Sequence, residues 1–174
     1  MKTMIVYYSL SGNTKKLGDF LATKLSADKT QIEERSKNTN FFTMLRLMYQ
    51  VLLNKPSKIR SFGANPSQYD LIILGTPVWM TRLSSPVRAF INQEKSHFKK
   101  IAFFCTESSS GGNAVFKSMS ELCGQQPIAT LEMTRSDMVD LNNNQKLSDF
   151  IDVCRGRIEE CSTGAVDHKP HHMA

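Results

Sequence analysis

The sequence predicts an α/β domain in which helices cover both faces of a parallel sheet. Strand-like and helix-like patterns alternate five times along the chain, which is typical of this class. The patterns at residues 69–75 and 100–105 are short continuous apolar runs, as expected for parallel strands buried on both faces. We expect residues 1–161 to form one domain and residues 162–174 to be a polar tail that is disordered or loosely packed.

The first half of the chain carries three strand patterns and two helix patterns. The apolar residues 4–8 predict the first strand, and apolar positions at helical spacing predict a helix over residues 14–26. A weak alternation at residues 31–34 predicts a short second strand near a sheet edge. After the third strand, a serine, an early proline and apolar residues at helical spacing predict a helix over residues 84–91.

The second half continues the alternation after the fourth strand. A helix is predicted to open at Gly111 and to stop at Gly124, since glycine readily ends a helix. Residues 126–133 predict the fifth strand. The apolar side of the last helix is formed by Leu147, Phe150, Ile151, Val153, Cys154 and Ile158.

Composition excludes several classes of protein. The net charge is +6, from 22 basic and 16 acidic residues, but these charges are scattered, and this argues against nucleic-acid binding. The four cysteines form no Cys-x-x-Cys pair, so we expect reduced cysteines and no metal site. Neither a run of about 18 apolar residues nor a signal peptide is visible, so we expect no membrane span and a cytoplasmic location.

A cluster of small polar residues lies between the first strand and the first helix. A strand, a tight loop and a helix N-terminus together offer unpaired N–H groups and the positive end of a helix dipole. Short neutral donors surround this point, and a phosphate is the natural ligand; the alternative is an ordinary helix cap with turn residues. The residues are Ser9, Leu10, Ser11, Gly12, Asn13 and Thr14.

This stretch resembles the phosphate loop of flavodoxins, whose pattern is Thr/Ser-x-Thr/Ser-Gly-x-Thr and which holds the monophosphate of FMN. The resemblance implies a flavodoxin-like three-layer α/β/α sandwich with a five-stranded parallel sheet of order 2-1-3-4-5. It also implies a ligand crevice at the carboxyl ends of strands 1, 3 and 4. The Gly-Lys-Ser/Thr of a P-loop and the Gly-x-Gly-x-x-Gly of a dinucleotide fold are both missing.

Two further segments are implied to contact the isoalloxazine ring. The Thr-Pro-x-Trp segment after the third strand resembles the first flavin loop of the family, and Trp79, the only tryptophan, is suited to stacking on the ring or, alternatively, to ordinary packing. Glu107 is either a general acid/base or a solvated carboxylate. The first segment contains Thr76, Pro77, Val78, Trp79 and Met80, and the second contains Thr106, Glu107, Ser108, Gly111 and Gly112.

The implied function is electron transfer through bound FMN, with no side chain required as a catalyst. The family's carriers are typically acidic, so the positive charge makes an FMN-dependent NAD(P)H:quinone-type oxidoreductase a serious alternative, and a flavin-free interaction module is a second one. Expected partners are a redox protein or a small acceptor such as a quinone, and a homodimer stays open. The apolar residues 41–53 predict a buried crossover helix, or alternatively a subunit contact, a lid or a membrane-touching surface.

Overall fold

A computed structural model describes residues 1–35, 49, 55–60, 63–108 and 110–156. The tail predicted at residues 162–174 lies outside the described residues. The same holds for the apolar segment 41–53, of which Tyr49 alone is described.

The strands form one sheet whose order matches the prediction. In the described part of the chain, five parallel strands lie in the order β2-β1-β3-β5-β6, which is the predicted order 2-1-3-4-5 once the short β4 is left out. The short β4 pairs with β3 in the antiparallel direction. The strands are β1 (Thr3–Tyr7), β2 (Asp28–Gln31), β3 (Leu71–Trp79), β4 (Arg82–Leu83), β5 (Lys100–Glu107) and β6 (Thr130–Thr134).

Each helix buries one apolar side against the sheet. In the first helix the buried residues are Thr14, Leu17, Gly18, Leu21 and Ala22, which is the i, i+3, i+4, i+7, i+8 spacing of a single helical face. The described helices are α1 (Asn13–Leu25), α2 (Ser85–Glu94), α3 (Gly112–Cys123) and α4 (Gln145–Cys154), with short 3₁₀ turns at Pro66–Gln68 and Lys95–His97.

Two apolar clusters, one on each side of the sheet, make the molecule a three-layer sandwich. Phe103 of β5 belongs to the cluster that contains α2 and α3, whereas its neighbour Phe104 belongs to the cluster that contains α1 and α4. Successive residues of a strand point to opposite faces, so a strand covered on both sides is apolar at every position. This explains the continuous apolar runs from which the buried strands were predicted.

The predicted second, third and fifth strands show the largest differences in their boundaries. The second strand was predicted at 31–34 but is Asp28–Gln31, because this polar edge strand has no apolar alternation to mark it. The third strand was predicted to end at Gly75 but continues to Trp79, and the fifth begins at Thr130 rather than at Gln126. The stretch before the fifth strand contains Pro127, which donates no backbone hydrogen bond.

Beyond the second strand the chain forms a narrow antiparallel contact. The Arg35 N–H donates to the Lys58 carbonyl oxygen at 3.0 Å, the Arg60 N–H donates to the Glu33 carbonyl oxygen at 2.9 Å, and Glu34 forms a bridge with Ile59. This contact joins the start of the long connection between β2 and β3 to a later part of the same connection.

The described cysteines Cys105, Cys123 and Cys154 are all free thiols. Across the described ranges, no helix combines the length and the apolar character that crossing a bilayer would require. Among the same residues, no three or more His, Cys, Asp or Glu side chains gather in a way that could hold a metal ion.

Candidate functional site

The carboxyl edge of the sheet, where this strand order predicts a ligand crevice, is uneven. The pairing of β1 with β3 ends at Tyr7 and Gly75, whereas β3 pairs with β5 as far as Pro77 and Thr106. Beyond this point β3 continues to Trp79 and β5 continues to Glu107. The loop after β1, the end of β3 and the loop after β5 therefore border one edge, as expected for a parallel sheet with this order.

The loop after β1 leaves the N-terminus of α1 available to a ligand. Gly12 occupies the N-cap position with φ of 92°, a left-handed conformation that glycine adopts without a steric penalty, and no side chain caps the helix. The Gly12 N–H instead donates to Ser9 Oγ at 3.2 Å. The first turn contains no acidic residue, so the positive end of the helix dipole is not offset there.

The small polar side chains of this loop are accessible. Leu10, Ser11, Gly12 and Asn13 are exposed and Ser9 is half-buried. A Cβ atom built on Gly12 would meet nothing within 4 Å, so the space beside this glycine is open. Uncapped N–H groups, open space and neutral hydroxyl and amide donors fit a phosphate group.

Thr14 differs from these accessible residues because it is buried. Its side chain is buried, and Thr14 Oγ1 lies 2.8 Å from Thr106 Oγ1 at the end of β5. Thr106 is buried as well. The two predicted site residues are thus hydrogen-bonded to each other, and they join the loop after β1 to the end of β5.

The Thr-Pro-x-Trp segment is a strand, not a loop as the sequence predicted. Thr76 and Pro77 are buried within β3, and Thr76 Oγ1 lies 2.8 Å from Ser84 Oγ and 3.0 Å from the Pro77 carbonyl oxygen. The Thr76 hydroxyl therefore stabilises the base of a hairpin. Ser84 holds the N-cap position of α2, but its side chain bonds Thr76 and makes no capping hydrogen bond.

Met80 and Thr81 form the tip of this hairpin. Val78 pairs with Leu83 and Trp79 pairs with Arg82, so only two residues connect the strands. Both have positive φ values, 50° for Met80 and 60° for Thr81, as a tight two-residue hairpin turn requires. Met80 is 54% exposed, which leaves an apolar side chain at the hairpin tip, at the rim of the predicted crevice.

Trp79 is held by an aromatic neighbour that follows β1. The rings of Tyr8 and Trp79 have centroids 5.7 Å apart and an interplanar angle of 87°, an edge-to-face arrangement. Tyr8 is buried, and Trp79 is half-buried against the same apolar cluster. The tryptophan therefore packs on the core while part of its surface is accessible.

The loop after β5 touches the hairpin at Gly111. This glycine has φ of 129°, and a Cβ atom built on it would lie 3.0 Å from both Thr81 Cα and Val78 Cγ1. Ser108 is exposed, Gly111 is half-buried and Gly112 is buried at the start of α3. The two segments predicted to contact the flavin ring are thus in mutual contact.

Glu107 lies between this loop and the neighbouring strand β6. Its Oε2 accepts a hydrogen bond from the Gly112 N–H at 3.2 Å. Burial raises the pKa of Glu107 to about 7, and a hydrogen bond to Glu132 and the charge of that residue contribute in the same direction. At neutral pH this carboxyl group is therefore poised between its protonated and its ionised form.

Sequence reasoning missed Tyr8 and Glu132 as functional neighbours. Tyr8 was included in the first strand, but nothing in the chain pattern indicates that its ring meets Trp79. Glu132 alternates with the buried Leu131 and Met133, so the pattern could have placed it on the opposite face of β6. Its proximity to Glu107 depends on the strand register, which the pattern does not supply.

Solved structures with the same architecture include several flavoproteins. A flavoprotein in complex with FMN from Lactobacillus acidophilus is 25% identical, with a TM-score of 0.67, and the match covers 75% of this chain and 92% of that one. A provisionally described flavoprotein from Bacteroides eggerthii is 18% identical, with a TM-score of 0.70, covering 87% of this chain and 96% of that one. Oxidised flavodoxin 2 from Bacillus cereus is 18% identical, with a TM-score of 0.55, covering 91% and 100%.

The sequence comparisons give one result. The family model described as Flavodoxin matches residues 2–152, which include every strand and helix of the described chain apart from the last residues of α4. No curated protein matches the sequence.

Proposed function

This chain belongs to the flavodoxin family, and on that premise we propose that it binds FMN and transfers electrons through the bound isoalloxazine. The observation that carries the proposal is the exposed, uncapped N-terminus of α1 behind the left-handed Gly12. Such a terminus binds an anion through backbone N–H groups and the helix dipole. The FMN-bound relative from Lactobacillus acidophilus supports the choice of anion.

The phosphate of FMN would be held by uncharged groups. The candidates are the backbone N–H groups of the loop after β1 and the side chains of Ser9, Ser11 and Asn13. The Thr14 and Thr106 hydroxyls share one hydrogen bond, so one of their two hydrogens is left to donate elsewhere. Such a neutral donor set would bind the phosphate by hydrogen bonds, together with the positive end of the α1 dipole.

The ring would lie against the hairpin and the loop after β5. Trp79 supplies a flat apolar surface, and Met80 supplies an exposed apolar side chain at the rim. The backbone of Ser108, Gly111 and Gly112 has no bulky side chain to keep it from the ring's polar edge. The bound flavin supplies the electron chemistry, and these residues orient it and exclude water from it.

Titration of the purified apoprotein with FMN tests this function. We expect FMN binding to quench the fluorescence of Trp79, which is the only tryptophan, and to quench the flavin's own fluorescence. Riboflavin, which lacks the phosphate, should bind much more weakly, because it forgoes the hydrogen bonds of the α1 N-terminus. Equal affinities for FMN and riboflavin would contradict the phosphate site, and no binding of either would leave a flavin-free interaction module as the function.

A small FMN-dependent oxidoreductase that reduces a quinone-type acceptor is the second candidate. The exposed Met80 at the rim and the loop after β5, which contains no tyrosine, favour access of a small apolar acceptor to the ring. The net charge of +6 also differs from the acidic surface typical of the family's carriers. Steady-state oxidation of NADH or NADPH with added quinone would support this candidate, whereas reduction only by a protein donor would support the carrier.

A further inference from the structure

Glu107 and Glu132 lie side by side on one face of the sheet. In the parallel pair of β5 and β6, Glu107 pairs with Thr134 and Cys105 pairs with Glu132. Residues two apart on a strand share a face, so Glu107 and Glu132 point to the side of the sheet on which α3 packs. The register therefore places two carboxyl groups diagonally across adjacent strands.

Both carboxyl groups converge on the first residue of α3. Glu107 Oε2 accepts the Gly112 N–H at 3.2 Å, and a Cβ atom built on Gly112 would lie 2.5 Å from the Glu132 carboxyl carbon and 2.8 Å from each of its oxygens. No side chain fits at this position. The Glu132 carboxyl group is packed against the backbone at the point where the loop after β5 becomes a helix.

The surroundings provide little compensating positive charge. The two glutamates line an open cavity of about 410 Å³ together with Lys146 of α4. Lys146 is also 3.6 Å from Asp137, so its charge is already partly offset. The first turn of α3 is uncharged, and Cys105, the other titratable group on this face of β5, is a buried thiol. Two ionised carboxylates at this point would repel each other.

We propose that Glu107 and Glu132 are positioning residues that share one proton, and that this proton holds Gly111 and Gly112, at the start of α3, in the position from which they contact the flavin. Glu107 ends β5 and Gly112 begins α3, so the two carboxyl groups fix both ends of the loop. When the shared proton is lost to solvent, repulsion between the carboxylates moves the Gly112 end of the loop. The role in flavin binding rests on the proposed function, whereas the shared proton does not.

The pH range of the effect follows from the environment of the pair. The pKa of Glu107 is raised to about 7 by burial, by the hydrogen bond to Glu132 and by the charge of Glu132. The proton is therefore bound in mildly acidic solution and released as the pH rises through neutrality. The loop contacts the hairpin at Gly111, so its movement also reaches the segment that carries Trp79.

The first test uses the apoprotein and needs no flavin. Carbon-13 NMR of the glutamate carboxyl groups should show Glu107 titrating near pH 7, with the Gly112 amide signal shifting at the same midpoint. In E132Q the Glu107 midpoint should fall, because an amide donates to the ionised carboxylate and carries no charge. E121Q, which removes an exposed carboxylate from α3, should leave the midpoint unchanged. A Glu107 midpoint near 4.5 in the unmutated protein would overturn the proposal. The same Glu107 midpoint in E132Q and in the unmutated protein would overturn it as well.

The second test measures flavin affinity against pH. The Kd of the unmutated protein should rise by about tenfold for each pH unit above neutrality, because only the protonated pair is competent to bind. E107Q retains an uncharged side chain that can accept the Gly112 N–H and donate to Glu132, so its Kd should be flat over this range. Comparison of the two proteins removes the ionisation of the FMN phosphate, which is common to both.

The outcomes separate the two proposals. Equal slopes for the unmutated protein and E107Q would refute the positioning role while FMN binding stands. Absence of FMN binding at every pH would refute the proposed function, and the NMR titration of the apoprotein would still decide whether the proton is shared.

Discussion

Thr14 Oγ1 and Thr106 Oγ1 lie 2.8 Å apart, between residues that are 92 positions apart in the chain. Both side chains are buried, at the start of α1 and near the end of β5. This bond connects the proposed phosphate end of the crevice to its proposed ring end. A substitution of either threonine should therefore affect both ends of the crevice.

Removing one of these hydroxyls should destabilise the fold. Thr14→Val or Thr106→Val leaves its partner buried without this bond, at a cost of about 1–3 kcal/mol in the free energy of unfolding. The double variant should lose less than the sum of the two single variants, because neither hydroxyl is then left behind. Urea unfolding of the apoproteins measures all three values. Thr23→Val, at an exposed hydroxyl that donates to the Asp19 carbonyl oxygen, is the control, and strictly additive losses would count against the coupling.

Gly12→Ala should impair phosphate binding more than ring binding. The backbone at this position has φ of 92°, which alanine adopts only with strain. We expect a loss of about 1 kcal/mol or more in the free energy of unfolding and a smaller ratio between riboflavin and FMN dissociation constants. Gly63→Ala, at a glycine with open space, is the matched control and should keep the ratio. An unchanged ratio in Gly12→Ala would separate this loop from the phosphate.

Substitution of Tyr8 should change the environment of Trp79. Tyr8→Leu removes the edge-to-face contact, which contributes about 0.5–1.5 kcal/mol beyond simple burial. We expect a shifted emission maximum of Trp79 and weaker FMN binding, whereas Tyr8→Phe retains the ring and should retain both properties. Fluorescence emission and FMN titration are the measurements. The same result from the leucine and phenylalanine variants would mean that the ring contact does not position Trp79.

Gly111→Ala should affect both flavin-contacting segments at once. Gly111 and Gly124 both have positive φ, so alanine is strained at either position, but only at Gly111 would its Cβ lie 3.0 Å from neighbouring atoms of the hairpin. Gly124→Ala should therefore lose stability alone, whereas Gly111→Ala should lose stability and FMN affinity. Urea unfolding and FMN titration of both variants separate strain from crowding. Equal FMN affinity in the two variants would contradict the contact's importance.

The carboxyl pair should also make stability depend on pH. The pKa of Glu107 is raised from 4.5 to about 7, so between these values the folded protein binds more protons at this site than the unfolded chain does. The contribution of Glu107 to the free energy of unfolding therefore falls as pH rises through this window. Glu107→Gln removes this contribution, so its curve against pH should be flatter than that of the unmutated protein. Urea unfolding at several pH values measures both curves, and parallel curves would rule out a raised pKa.

Local patterns were sufficient to assign most strands and helices, whereas the order of the strands was predicted from the resemblance to flavodoxins. The run containing Phe103 and Phe104 indicated a strand buried on both faces, and the spacing of Leu17 and Leu21 indicated a helix with one buried side. The loop around Gly12 could also be predicted, since the left-handed conformation of a glycine at a helix N-terminus depends on a few consecutive residues.

The hairpin was not predictable from its own residues. Met80 and Thr81 both take positive φ values, although neither residue type favours them, and the tertiary setting of β3 and β4 imposes this conformation. The Thr14–Thr106 bond, the Tyr8–Trp79 contact and the carboxyl pair depend on register between strands distant in sequence. The pattern along a strand predicts which face of the sheet a residue lies on. It does not predict which residue of the adjacent strand lies next to it.

The outermost strands have a consequence for self-association. In the part of the chain that the structure describes, β2 and β6 each pair with one parallel neighbour, and they contain four and five residues. Asp28 and Lys29 place charge on the margin formed by β2, where a foreign strand would have to dock. Growth of a continuous intermolecular sheet is thereby disfavoured, and copies of this protein that do associate are expected to meet through helices or loops.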